Sequence, residues 1–292
     1  MRIGITGATG FIGRHLAAYA TDRGHQVIAY SRRPGSGLTQ PKQAPHALPE
    51  TPLDALVHLS GESLMGLWTQ DKRARIRKSR VDFTESLVAH LGTWKAENRP
   101  KVLVCASGAG FYGNSGAEPV DESSPQGAGF LADVCAGWEA AAHRAESLGM
   151  RVITSRTGMV LGRDGGAFPL LRRVFASGLG GRLGSGQQWM SWIHIDDAVQ
   201  LLLKAVTTEA VSGPVNLCAP EPVTNAEFTQ KLAAALHRPA FFHAPAFALK
   251  LLLRGMADEM LLGGQRAIPR VASEMGYLFQ HPDIASAFRA LV

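Results

Sequence analysis

The sequence predicts an α/β fold, a doubly wound and mainly parallel sheet followed by a small, mainly helical C-terminal lobe. Three observations carry this. Short β-rich apolar runs recur along the chain, opening with "RIGIT" and continuing with "ALVHLS" (55–60), "KVLVCAS" (101–107), "RVITSR" (151–156) and "PVNLCA" (214–219). Between them lie stretches with i, i+3, i+4 apolar spacing at about 70–96, 130–148 and 196–207, and strands alternating with helices predict a parallel sheet covered on both faces. Beyond about residue 220 the rhythm stops, and Pro220, Pro222, Pro239, Pro245, Pro269 and Pro282 divide short helical segments. The expected division is a sheet domain over 1–220 and a lobe over 221–292, with the glycine-punctuated stretch 163–190 contributing to the lobe. The Pro- and Gly-rich stretch 35–52 reads as a surface loop.

Composition narrows the function classes. A chain of 292 residues with 46% hydrophobic and 18% charged residues describes a folded globular protein rather than a disordered or fibrous one. A net charge of +6 favours phosphate-bearing ligands but is modest for a nucleic-acid binder. The one dense basic run, "DKRARIRKSR" (71–80), has no aromatics interleaved to stack on bases, so it reads as a solvated helix face and no nucleic-acid partner is expected. Cys105, Cys135 and Cys218 form no C-x-x-C pair, so neither a disulfide framework nor a metal site is expected from them. Met1 leads straight into an apolar strand, and "AFALKLLLRGM" is too short to span a bilayer, so a cytoplasmic protein without a membrane partner is expected.

The first chemistry lies in "TGATGFIG", which sets Gly7, Gly10 and Gly13 directly after a strand and at the opening of a helix. Gly7 permits the tight turn, Gly10 lets the backbone approach a pyrophosphate, and Gly13 lets helix and strand pack closely. The helix N-terminus then faces the phosphate charge. Thr9, Phe11 and Ile12 complete the expected contact loop for a dinucleotide. A NAD site usually has Asp or Glu at the end of the second strand, bonded to the ribose. Here Ser31, Arg32 and Arg33 stand in "YSRR". Arg32 can pair a 2′-phosphate through two parallel hydrogen bonds, so NADP(H) is expected as the cofactor, with Ser31 and Arg32 as contacts.

Further along, "HLSGESLMGLWTQDKRARIRKSR", "SGAGFYG", "VCAGWEAAA", "SRTGMVLGRDGG", "GLGGRLGSGQQWMSWIHIDD" and "GGQRAIPRVASEMGYLFQHPDIASAF" occur in order. Together they resemble the extended short-chain dehydrogenase/reductase superfamily, and more narrowly its atypical epimerase-family proteins with a C-terminal domain of unknown function. The resemblance runs the full length. It implies a Rossmann-type fold with bound NADP(H), and it does not name the substrate; on the enzyme reading a small polar, nucleotide-linked substrate is the first class to test. By the same resemblance "HLSG" passes under the adenine side of the cofactor, which makes Leu59 and Ser60 contacts and has Gly61 keep the backbone close. Arg80 and Arg156 match positions that reach the cofactor, and each can instead form a structural ion pair.

In that superfamily a Ser or Thr at a strand end polarises the substrate oxygen, a Tyr transfers the proton, and a Lys four residues later lowers the Tyr pKa. The helix "FLADVCAGWEAAA" (130–142) holds neither Tyr nor Lys. With Glu139 aligned to the acid that commonly follows the Lys, the Tyr position falls on Leu131 and the Lys position on Cys135. Ser107 closes its strand as expected, and with Tyr112 it makes up the catalytic candidates. Cys135 reads as a small buried helix residue, and Glu139 as the partner of a backbone group or an arginine. His194 reads as structural, with Asp196 or Asp197 capping the following helix. Trp189, Met190 and Trp192 fit either the border of a substrate cleft or the core. Two functions follow: an NADP(H)-dependent oxidoreductase or epimerase with a non-standard acid/base group, or a non-catalytic NADP(H)-binding module.

Overall fold

The computed structural model describes residues 1–30 and 48–292, so Ser31, Arg32, Arg33 and most of the 35–52 stretch lie outside the described residues. A six-stranded sheet forms the centre. Its strands are β1 (Arg2–Thr6), β2 (Gln26–Tyr30), β3 (Ala55–His58), β4 (Val102–Gly108), β5 (Arg151–Thr157) and β6 (Gly213–Leu217), in the spatial order β2-β1-β3-β4-β5-β6. All five pairings are parallel. Successive residues of a strand point to opposite faces, and here both faces are covered, which is why the strands read as unbroken apolar runs rather than alternating ones. Val57, Val104 and Ile153 pack with Leu16 and Ala20 of α1 (Phe11–Asp22) and with Leu201 and Leu202 of the helix Ile195–Thr207. Their neighbours Leu56, Leu103 and Val152 pack on the other face. There they meet the helices Val81–Gly92, through Leu87 and Leu91, and Phe130–His143, through Trp138 and Ala142.

The helix expected over 70–96 is two helices, α2 (Gln70–Lys78) and α3 (Val81–Gly92). Bonds to the β3 exit mark the break. Ser79 bonds back to the Ile76 carbonyl and accepts the N–H of Glu62, and Arg80 turns inward to donate to the Glu62 carbonyl at 3.0 Å. Next comes α4 (Phe130–His143), followed by a single 3-10 turn over 144–148. The 163–190 stretch contains an unforeseen helix, α5 (Phe168–Ala176), with Pro169 in its first turn. Phe168 and Phe175 of α5 share an apolar cluster with Phe228 and Leu232 of α7 (Asn225–Ala235) and with Ile284, Phe288 and Leu291 of the last helix. Between them in sequence, α6 (Ile195–Thr207) is held to the C-terminal segment by fully buried Asp197. Its carboxylate accepts the Tyr277 hydroxyl and the Gln280 N–H, each at 2.8 Å, and the His281 N–H at 2.9 Å. No described helix is long and apolar enough to cross a membrane.

Candidate cofactor and active site

β2 and β3 flank β1 on opposite sides, so the strand order reverses at β1 and opens a crevice at the carboxyl ends of β1 and β3. The glycine turn occupies that point. Gly7 has φ +72°, and a Cβ there would sit 3.0 Å from the Leu59 carbonyl and 3.1 Å from the Ser60 nitrogen. The turn therefore lies directly against the exit of β3. Gly10 donates to the Gly7 carbonyl at 2.8 Å, and among the described residues a Cβ on Gly10 would meet only that oxygen. A Cβ on Gly13 would strike the same oxygen and lie 2.8 Å from the Ala8 Cα, so this glycine is required by packing of α1 on β1. Helix α1 starts at Gly10 with no side-chain cap and no acidic residue in its first turn. Its dipole is thus left for an external anion. The ring of Phe11 packs against Gly162 and Gly165, leaving its backbone at the helix start.

On the other side of the β3 exit, a Cβ on Gly61 would be 3.2 Å from the Arg80 guanidinium, which lies 5.1 Å from the Trp138 ring centroid. The structure thus brings Gly7, Leu59, Ser60, Gly61 and Arg80 together. Beneath them His58 is fully buried, bonded to Thr6 at 2.6 Å and Thr84 at 3.1 Å, and burial lowers its pKa to about 3.

Ser107 ends β4 and donates to Glu139 Oε1 at 2.7 Å. Arg156, at the same level of β5, donates from Nε and Nη2 to the two Glu139 oxygens, each at 2.9 Å, and its Nη1 donates to the Tyr112 hydroxyl at 3.1 Å. Tyr112 donates in turn to Asn216 Oδ1 at 2.7 Å. This places all three Arg156 nitrogens in contacts within the chain, with Phe111 stacked 3.5 Å from its guanidinium carbon. Tyr112 is 3% exposed, and burial raises its pKa to about 12 despite hydrogen bonds from Arg156 and to Asn216.

Leu131 and Cys135 occupy one face of α4, as the alignment expects. Leu131 packs in an apolar cluster with Trp68, Phe130 and Met256. Cys135 lies where a Cβ on Gly108 would be 3.6 Å from its sulfur, and burial together with Glu139 raises its pKa to about 11, so it is a thiol rather than a thiolate. Trp192 is core, fully buried and donating to the Glu221 carbonyl, whereas Trp189 and Met190 are half-buried. His194 caps α6 by accepting the Asp196 N–H.

Sequence reasoning missed two carboxylates. Glu259 from the C-terminal lobe accepts the N–H groups of Phe130 and Leu131 at 2.9 and 2.7 Å, supplying the N-terminal cap of α4 where Gly129 offers none. Glu122 accepts the N–H groups of Asn216 and Val271, and its other oxygen is buried without a partner among the described residues. Neither sits in a recognisable spacing, because each acts across the tertiary fold.

A family model described as the NAD dependent epimerase/dehydratase family matches residues 3–218. The chain belongs to the NAD-dependent epimerase/dehydratase family. A second model, "Domain of unknown function (DUF1731)", matches residues 244–291. An epimerase family protein of Mycobacterium leprae is 40% identical over 98% of this chain and 94% of its own length. The human epimerase family protein SDR39U1 is 37% identical over the whole of both chains. The crystal structure of human SDR39U1 (isoform 2) with NADPH matches at a TM-score of 0.89, with 34% identity over 100% of this chain and 99% of that one. A UDP-glucose 4-epimerase of Thermus thermophilus in complex with NAD matches at 0.80 with 16% identity over both full chains, a likeness of fold.

Proposed function

We propose that this chain binds NADP(H) along the glycine turn and the β3 exit, and that it acts by hydride transfer on a small polar, nucleotide-linked substrate without a Tyr-Lys pair. The observation that carries this reading is the uncapped, acid-free start of α1 set beside the Gly7 turn and the Leu59–Gly61 backbone. The NADPH present in the human relative's crystal structure supports the choice of cofactor, as does "YSRR" after β2. The pyrophosphate would lie on Thr9, Gly10, Phe11 and Ile12, and the 2′-phosphate on Ser31 and Arg32. Leu59, Ser60 and Gly61 would line the adenine side. Arg80, with its guanidinium beside Gly61, is placed to assist from the start of α3.

At the reacting end, the Ser107 hydrogen is committed to Glu139, so its oxygen keeps lone pairs that can accept a hydrogen bond from a substrate hydroxyl. Arg156 fixes the Glu139 carboxylate and thereby the Ser107 rotamer, a positioning role. Tyr112 is the remaining candidate acid. A second reading, cofactor binding without catalysis, is favoured by two observations: Leu131 and Cys135 supply no ionised group, and the Tyr112 hydroxyl is buried and bonded on both sides.

Fluorescence titration and loss of NADPH absorbance separate the two. With a panel of nucleotide sugars and simple carbonyl compounds, the enzyme reading expects slow turnover, about 10²–10⁴-fold below enzymes with positioned acid–base groups. Ser107→Ala should abolish that turnover and Cys135→Ala should leave it. Tight NADPH binding with no turnover selects the second reading, and absence of NADPH binding overturns both.

A further inference from the structure

We propose that His194, Asp196 and His281 form a site for one divalent transition-metal ion of the zinc type, placed where α6 meets the C-terminal segment. Each of the three offers one donor atom, and these atoms lie within 4.8 Å of one another. The His194 and His281 ring centroids are 4.0 Å apart, and an Asp196 carboxylate oxygen is 3.5 Å from His194 Nδ1. Two imidazoles and a carboxylate are a donor set that such ions take, with a fourth position left for water.

Three features support the assignment. His194 is 4% exposed, and its Nε2 is buried with no hydrogen-bond partner among the described residues, an unsatisfied polar atom that a bound ion would explain. The two histidines are held opposite each other without an ion, because Asp197 fixes the His281 N–H at 2.9 Å while β-strand pairing of Trp192–His194 with Met159–Leu161 fixes the other. Lastly, the geometry can close. Donors about 2.1 Å from a tetrahedral centre lie about 3.4 Å apart, and half-exposed Asp196 with partly exposed His281 can turn in by the ångström or so needed. Ligation through the unpartnered His194 Nε2 would leave the cap bond from the Asp196 N–H to Nδ1 in place.

The ion would cross-link α6 to the segment 277–281, adding to the grip that Asp197 already provides. The test uses the full, untagged chain stripped with a chelator and titrated with Zn²⁺, and in parallel with Co²⁺, whose visible bands report coordination number. We expect one equivalent bound, a Co²⁺ spectrum of four- or five-coordinate type, and slower amide exchange at 277–281. His281→Ala and Asp196→Asn should each weaken binding at least about tenfold, while NADPH affinity stays unchanged. His281→Gln keeps the bulk and the backbone bond to Asp197, so it serves if the alanine variant does not fold. No stoichiometric binding of either ion, or equal binding by the His281 variants, would overturn the proposal, the latter by assigning the ion to other histidines.

Discussion

Replacing Glu139 with Gln should destabilise the protein by about 3–5 kcal/mol, the usual cost of removing one partner from a buried ion pair. The structure shows why the cost belongs at that end of the scale. The side chains of Arg156 and Glu139 are 6% and 8% exposed, so water cannot replace what is lost. The substituted side chain could still accept from Ser107 and Arg156 Nε through its oxygen, but its amide would turn two donors toward Arg156 Nη2. A buried cation would then face a donor instead of a carboxylate. Arg156→Met creates the complementary fault, a buried carboxylate bonded only by Ser107, and should cost a similar amount. Combining Glu139→Gln with Arg156→Met removes both charges and should be less damaging than the two single costs added together, because those costs describe one interaction. Urea unfolding of all variants without cofactor measures this. A single variant that loses less than about 1 kcal/mol, or a strictly additive pair, would refute the claim that the two charges depend on each other. Cofactor affinity adds a second reading: Arg156→Met should weaken NADPH no more than Glu139→Gln does, since the Arg156 guanidinium is already bonded within the chain.

Gly10→Val should abolish NADPH binding and leave the circular dichroism spectrum unchanged, because among the described residues its Cβ meets only the Gly7 carbonyl and the added methyls project where a pyrophosphate would lie; normal affinity in a folded variant would mean the glycine serves the turn alone. Arg32→Ala should weaken NADPH by about 1.5–3 kcal/mol, the scale of a charge-assisted hydrogen bond, and leave NADH unchanged; equal affinity of the unaltered protein for both cofactors would refute this. His58 has a folded pKa of about 3 against 6.5 unfolded, so the unfolded chain takes up the proton first as pH falls. Its contribution is intact above pH 6.5 and is lost toward pH 3 at up to about 1.4 kcal/mol per pH unit, and a His58→Gln variant should show a visibly flatter acid limb in denaturation midpoints measured across that range.

What could be read from the sequence divides along a physical line. The strands were legible because a sheet covered on both faces forces apolar side chains at consecutive positions, and Leu56 with Val57 or Leu103 with Val104 meets that demand within two residues. The glycine turn was legible for the same reason: Gly7, Gly10 and Gly13 answer to one another over a single turn of chain, so their spacing carries the geometry. The missing Tyr and Lys were equally plain, since four residues on one helix decide them. What replaced them was not. The Ser107–Glu139 bond spans 32 residues, Tyr112 to Asn216 spans 104, and Glu259 reaches back 129 to cap α4. No local pattern marks these side chains, because each is defined by a partner brought to it only by the finished sheet. The break between α2 and α3 belongs to the same class, for Ser79 and Arg80 both bond Glu62, a residue on the β3 exit. In this fold the short-range rules therefore locate the glycine turn proposed to hold the cofactor, while the polar groups proposed to stand in for the Tyr-Lys pair are set by long-range contacts. A search for the chemistry among relatives is better directed at whether Ser107, Glu139 and Arg156 occur together than at any single residue of α4.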